Sequence, residues 1–557
     1  MRRFVAGMLA VLMLAAVGCS GRSNTGSADE MVIRMNIGTN PPSLDPRVTT
    51  GLPEAHVEIA LFEGLMRLDE HGNAIPGAAE WYEVNDDATV FTFYLRDGLK
   101  WSNGDPLTAE DFVWTWKSVL DPLLASEYAY QLYYIKGAEE MNTFTSDPKW
   151  ENATDEEIRA EFERLAQNFG ATALDEKTLR VELEAPTPYF LSLTAFHVYY
   201  PVHRPSVEAN PDAWFRSPDT LVGNGPFKLV SWTDKDKVIV EKNPNYWGAN
   251  EVKLDKIEFY LIEEESTATT MFENGELDII ESGVNTAELD RLKEEYPNEL
   301  KILPDLGIYY YLFNVEKEPL NDKRVRQALA MAIDRQSIVE QITKGGQVPA
   351  FALVPEGIPE EGSGAPDDDF RKRGGDLFAE DVAKAQQLLA EAGYPNGQGF
   401  PTLTILYNTS EAHQRIAEAI QEMWKNNLGI NVQLTNQEWG VYLDSRSTGD
   451  YEIARAGWIG DYIDPMTFID MFVTGGGNND TNWSNAQYDA LVAKAKRSAD
   501  QAERMQAMHE AEKILMDEMP IMPIYFYTRV IMVSENVQGW SMPLTSPLNL
   551  RDASITK

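Results

Sequence analysis

The chain of 557 residues has a single cysteine, Cys19, so no disulfide can form within it and the fold must rest on its core. Positive charge is scarce: 48 lysines and arginines stand against 88 aspartates and glutamates, a formal charge of −40. Such a field repels phosphate backbones, which sets nucleic acid aside as a partner, and it favours cationic ligands in encounter. Histidine is rarer still, with six in all, and no two stand at metal-ligand helical spacing; His197 and His203 come nearest. No G-x-S-x-G elbow, H-E-x-x-H, G-x-x-x-x-G-K-[ST] or G-x-G-x-x-G occurs, so no enzyme, metal or cofactor is expected. The acidic run Asp367–Asp369 reads as a solvated loop. The one long apolar run, Phe4–Val17, is too short to span a bilayer.

That run follows Arg2 and Arg3 and ends in small residues that lead to Cys19, which reads as a signal peptide over residues 1–18. The cleavage region resembles a bacterial lipobox, with Ala16 where that pattern has leucine. The resemblance implies lipidation at Cys19, and residues 19–30 read as a flexible tether from lipid to domain. The expected location is the outer face of the cytoplasmic membrane, with the lipid as the only membrane contact.

The length suggests three or four domains, and a hydrophobic fraction of 43% is ordinary for a globular protein. Met31–Ile37 reads as a strand, and Pro41–Pro46 as an extended segment that forbids helix. Thr50-Gly-Leu-Pro53 is compatible with a sheet edge that an added chain can pair with, and equally with a loop. Val90–Leu95 alternates as a strand, Asn103-Gly104 marks a turn, and Thr108 with Asp111 opens a helix. Thr154–Glu157 is a capping box, followed at helical spacing by Ile158, Phe162, Leu165 and Phe169. Helices over 322–333, 380–392, 411–428 and 501–518 alternate with strands over 430–434 and 523–527, which is α/β layering.

The stretch with chemistry in it is Ile453–Tyr462, a short extended run carrying two opposite charges. On a strand, Arg455, Gly457, Ile459 and Asp461 point one way, and at about 3.3 Å per residue the two charges stand roughly 20 Å apart. They are too distant to neutralise each other. Gly457 between them leaves room for a foreign backbone. An extended zwitterion of a few residues fits such a face, amine toward Asp461 and carboxylate toward Arg455. A structural strand whose charges pair elsewhere is the plain alternative.

Several blocks, in order, resemble the solute-binding proteins of peptide ABC importers: Leu61–Leu65, Leu95–Phe112, Asn224–Lys228 and Asn243–Trp247. Tyr309–Tyr311, Asn321–Leu329, Leu406–Ser410 and Asn436–Trp439 are similar to the oligopeptide-binding, OppA-like branch of bacterial solute-binding protein family 5. The resemblance spreads over essentially the whole mature chain. It implies an α/β, type II periplasmic-binding-protein-like fold with two hinged lobes and an added third domain. Carried onto this chain, one lobe comprises 31–62, 204–306 and 529–557, the added domain 63–203 and the other lobe 307–528, with hinge crossings near Leu306 and Thr528.

The resemblance also implies the site. Asp461 takes the peptide's α-amino group, while Arg455, His413 and Arg446 neutralise its carboxylate. The peptide pairs as a strand with Gly457, Trp458, Ile459 and Asp461 on one side and Thr50, Gly51 and Leu52 on the other. Trp439, Trp458, Tyr128 and Tyr527 stand near the side-chain pockets. Thr50 departs from the pattern, since family members can carry an acidic residue there. The implied activity is capture of short peptides by a monomer and delivery to a permease driven by an ATPase. Related binding proteins for oligosaccharides, dipeptides or metal chelates, and a peptide sensor, are the alternatives.

Overall fold

The computed structural model describes residues 30–556. The expected signal peptide, the lipidation at Cys19 and the tether up to residue 29 lie outside the described residues.

One mixed sheet of eleven strands runs through the molecule, with two long strands as its spine, Leu300–Phe313 and Ile521–Val533, paired antiparallel. On one side Ile453–Ile459 pairs antiparallel with the first long strand, and Leu403–Asn408 and Val432–Gln437 follow in parallel. On the other side come Ile279–Ile280, Val32–Asn36, Lys256–Tyr260, Lys237–Lys242 and Phe227–Thr233, and the short Val348–Pro349, the eleventh, pairs with the second long strand off this path. Tyr309, Tyr310 and Tyr311 in the spine are at most 1% exposed, covered on both faces as the centre of a helix-flanked sheet must be. The ladder between the long strands is interrupted twice, between Pro304 and Ile308 and between Tyr309 and Tyr310.

Local signals set most of the helices. Ser410 accepts a hydrogen bond from the His413 N–H and opens the helix Glu411–Leu428, and Gly429 closes it in the left-handed conformation at φ +70°. Asp500 caps Gln501–Glu518 in the same way, and Met505 and Met508 in it are buried in the core. The Thr154–Glu157 capping box starts Asp155–Leu165, which sinks Phe162 and Leu165. That helix belongs to the added region, whose own four-stranded antiparallel sheet is Ala79–Val84, Val90–Leu95, Thr178–Glu182 and Ala171–Ala173 in spatial order.

Two expectations are corrected here. Leu52 is not part of an extended edge: it is the first residue of the helix Leu52–Leu61, with Gly51 as extended N-cap and proline in the first turn, a position where its missing N–H costs nothing. Asp367–Asp369 is not simply a solvated loop. Asp368 and Asp369 are buried, and Asp368 accepts backbone N–H bonds from Glu360, Glu361 and Ser363.

The two ends of the large sheet approach each other. Leu403–Asn408 and Lys256–Tyr260 stand six strand steps apart in the sheet, roughly 29 Å if it were flat. Yet the Ser410 hydroxyl, two residues beyond the first, donates to Glu265 Oε1, five residues beyond the second, at 3.1 Å. The halves are therefore folded together over a closed cleft.

Candidate functional site

The Ile453–Ile459 strand lies antiparallel against the first spine strand. Arg455, Gly457 and Ile459 are half-buried on one side, while Ala454, Ala456 and Trp458 are buried on the other, which is the expected period of two. The strand ends at Ile459, so Asp461 stands two residues past it.

Asp461 is buried among neutral donors. Its Oδ1 accepts from the Tyr128 hydroxyl at 3.4 Å, and its Oδ2 from Gln131 Nε2 at 2.9 Å and Thr467 Oγ1 at 3.4 Å. Among the described residues no lysine or arginine pairs with it. Burial, and secondarily the charge of Asp470, hold this carboxyl well above the usual range, although the three donors pull the other way. A cation brought to it restores the ionised form.

Arg455 is the counterpart. Its Nη2 donates to the Tyr527 hydroxyl at 2.7 Å and its Nη1 to Asn408 Oδ1 at 3.4 Å, its guanidinium lies 4.7 Å from the centre of the Tyr309 ring, and its Nε has no partner among the described residues. No described carboxylate pairs with it. His413 stands beside it, Nδ1 3.3 Å from the Tyr309 hydroxyl. Burial, with the charges of Arg455 and Arg415, keeps this imidazole well below its ordinary pKa, so it is neutral at pH 7 and offers a hydrogen bond rather than a charge.

Other expected residues have occupations of their own. Arg446 is ion-paired with Asp480 at 2.6 Å, so its charge is already matched. Gly457 does make room, but for Tyr527: a Cβ there would meet the Tyr527 hydroxyl oxygen at 2.4 Å. Trp439 spans the cleft, donating its indole N–H to Glu54 Oε1 at 3.0 Å. Trp458 packs beside Tyr128 with ring centres 5.9 Å apart. Thr50 and Gly51 precede the Leu52–Leu61 helix, and the Gly51 carbonyl accepts from the Ala55 N–H.

Several groups escaped sequence reasoning. Gln131 and Thr467 hold Asp461, and only their nearness in sequence to Tyr128 and Asp461 pointed to them. Glu54 is 1% exposed, and burial pushes it up to about 7. Glu265 accepts from Ser410 Oγ, the Ala412 N–H and Arg415 Nη2, the last at 2.9 Å, and so fastens one half to the other.

The large sheet thus folds its two halves together, with Asp461 and Arg455 each lacking an oppositely charged partner among the described residues. The family model for bacterial extracellular solute-binding proteins, family 5 (middle), matches residues 73–480, and the chain belongs to that family. It is 38% identical over 558 residues to the oligopeptide-binding protein OppA of Bacillus subtilis, covering 98% of this chain and 97% of that one. The murein tripeptide binding protein MppA of Escherichia coli superposes with a TM-score of 0.85 at 35% identity, covering 95% and 99% of the two chains. An unliganded open form of MppA superposes at only 0.60, with 36% identity and 95% and 98% coverage. That difference agrees with the closed cleft seen here. The relatives named are binding proteins rather than enzymes.

Proposed function

We propose that this protein captures short peptides with free termini and delivers them to the permease of an ABC importer, held at the outer face of the cytoplasmic membrane by a lipid on Cys19. The observation that carries the ligand class is the pair of unmatched charges. Among the described residues Asp461 is buried with neutral donors only, and Arg455 meets Tyr527, Tyr309 and Asn408 but no carboxylate. A buried carboxylate without a cation is costly, and an ammonium from the ligand removes that cost. The strand between them offers backbone groups that read no side chain, which suits ligands of varied sequence.

Opening on a hinge near Leu306 and Thr528 is favoured by the break in the spine's ladder, where Pro304 lies opposite Thr528 and the next pair is Ile308 with Phe526. On this account residues 31–62, 204–306 and 529–557 move as one lobe against 307–528.

The test is calorimetric titration of protein stripped of co-purified ligand, with a tetrapeptide pool and the same pool N-acetylated. Micromolar or tighter binding of the free pool, lost on acetylation, is expected. Equal binding of both discards the charge clamp, and binding of neither discards peptides in favour of sugars or chelates.

A further inference from the structure

Thr50 leaves that position without an acid, but an acid unmatched among the described residues stands next in sequence to Tyr128. Glu127 immediately precedes Tyr128, whose hydroxyl touches Asp461. Its backbone packs on Gly477, where an added Cβ would lie 2.2 Å from the Glu127 carbonyl oxygen. The loop that carries Gly477 also carries Asp480, which pairs with Arg446 through Nη2 at 2.6 Å and Nε at 3.0 Å. Arg446 in turn lies over the Tyr442 ring, 5.6 Å from its centre.

The charges of this corner do not balance. Arg446 is spent on Asp480, and the half-buried Glu127 carboxylate makes no hydrogen bond or ion pair with the described residues. Burial and then the nearby Asp480 raise its pKa to about 7, against the smaller opposing effect of Arg446. An acid so placed is stabilised by one organic cation. A divalent metal is poorly served, because the second carboxylate is already held by arginine.

We propose that Glu127 makes the wall between Tyr128 and Arg446 a subsite for a cationic side chain of the bound peptide, lysine or arginine. The inference rests on the peptide function proposed above and adds a preference to it. Peptide backbones are anchored by the strand and the terminal charges, so side chains are left to be read by such pockets. The strongly negative field of the whole chain acts in the same direction during encounter.

The experiment compares tetraalanine carrying lysine, or norleucine of the same stem, at each position in turn, titrated into the parent and into Glu127→Gln. At one position lysine is expected to bind about tenfold tighter than norleucine, and Glu127→Gln to bring that ratio within about twofold. Because both peptides are measured on the same variant, a general loss of affinity cancels in the ratio. The lysine preference of the parent is also expected to shrink between pH 7.5 and 5.5, as Glu127 takes up its proton. No lysine preference at any position, or a preference that survives Glu127→Gln, overturns the subsite. Binding of no tetrapeptide at all overturns the peptide function and the subsite with it.

Discussion

Replacing Asp461 by asparagine keeps the shape of the side chain and removes only its charge. In the closed, empty protein the charged form is the costly one, because burial and Asp470 raise the pKa. Asp461→Asn should therefore fold at least as stably as the parent at pH 7. With a peptide bound the balance reverses. The ligand's ammonium then sits buried beside a neutral amide, and breaking a buried ion pair costs on the order of 3 kcal/mol. That is roughly a 100-fold rise in Kd. A neutral hydrogen bond would contribute only about 1 kcal/mol, or about fivefold, so the two magnitudes separate an ionic anchor from an ordinary contact. Titration calorimetry of both proteins with a free-amine tetrapeptide at pH 7 reads the difference. A loss below tenfold refutes the ionic anchor, and so does an equal loss for the N-acetylated peptide.

Acidification should favour closure of the empty protein. Glu54 is pushed up to about 7 in the closed form, so its contribution to closure is fully present at lower pH and is lost as pH rises through about 7. The radius of gyration from small-angle scattering should fall between pH 8 and pH 5.5, and an unchanged or rising radius contradicts this. Glu265→Ala removes the carboxylate that Ser410, Ala412 and Arg415 bond across the halves. Offset by relief of its burial, the loss is about 1–2 kcal/mol, which should appear as about tenfold faster peptide release with a nearly unchanged on-rate. Stopped-flow tryptophan fluorescence measures both rates, and an unchanged off-rate would show that the contact does not hold the closed state.

Local grammar made much of the fold legible. Val90–Leu95, Glu411–Leu428 and Gln501–Glu518 occur with the bounds their alternation, caps and terminal glycine imply. The Glu380–Ala392 helix is shorter, Val382–Glu391, because Asp381 rather than an earlier residue caps it. The strand after Gly429 runs later than expected, over Val432–Gln437, since its pairing with Leu403–Asn408 sets the register and periodicity does not. The local sequence around Leu52 leaves edge and loop open and the resemblance implies strand pairing, whereas proline in the first turn makes Leu52 the start of a helix.

At the site, residue type was informative and partnership was not. Arg455 and Asp461 carried their charge signature in seven residues of sequence. The pairing of Arg446 with Asp480 joins positions 34 apart, and the reach of Trp439 to Glu54 joins positions 385 apart. Such matches depend on how the spine folds the two halves together, and nothing in local spacing announces them. The role of Gly457 shows the same limit: a close approach was foreseeable, but the approaching group is Tyr527 from the far spine strand.

The most direct measurement is a crystal structure of the protein with tetraalanine bound. The account predicts the peptide extended along Gly457–Ile459, its ammonium about 2.8 Å from an Asp461 oxygen and its carboxylate toward Arg455 and His413. A peptide bound in the reverse direction, or with its ammonium away from Asp461, would contradict it.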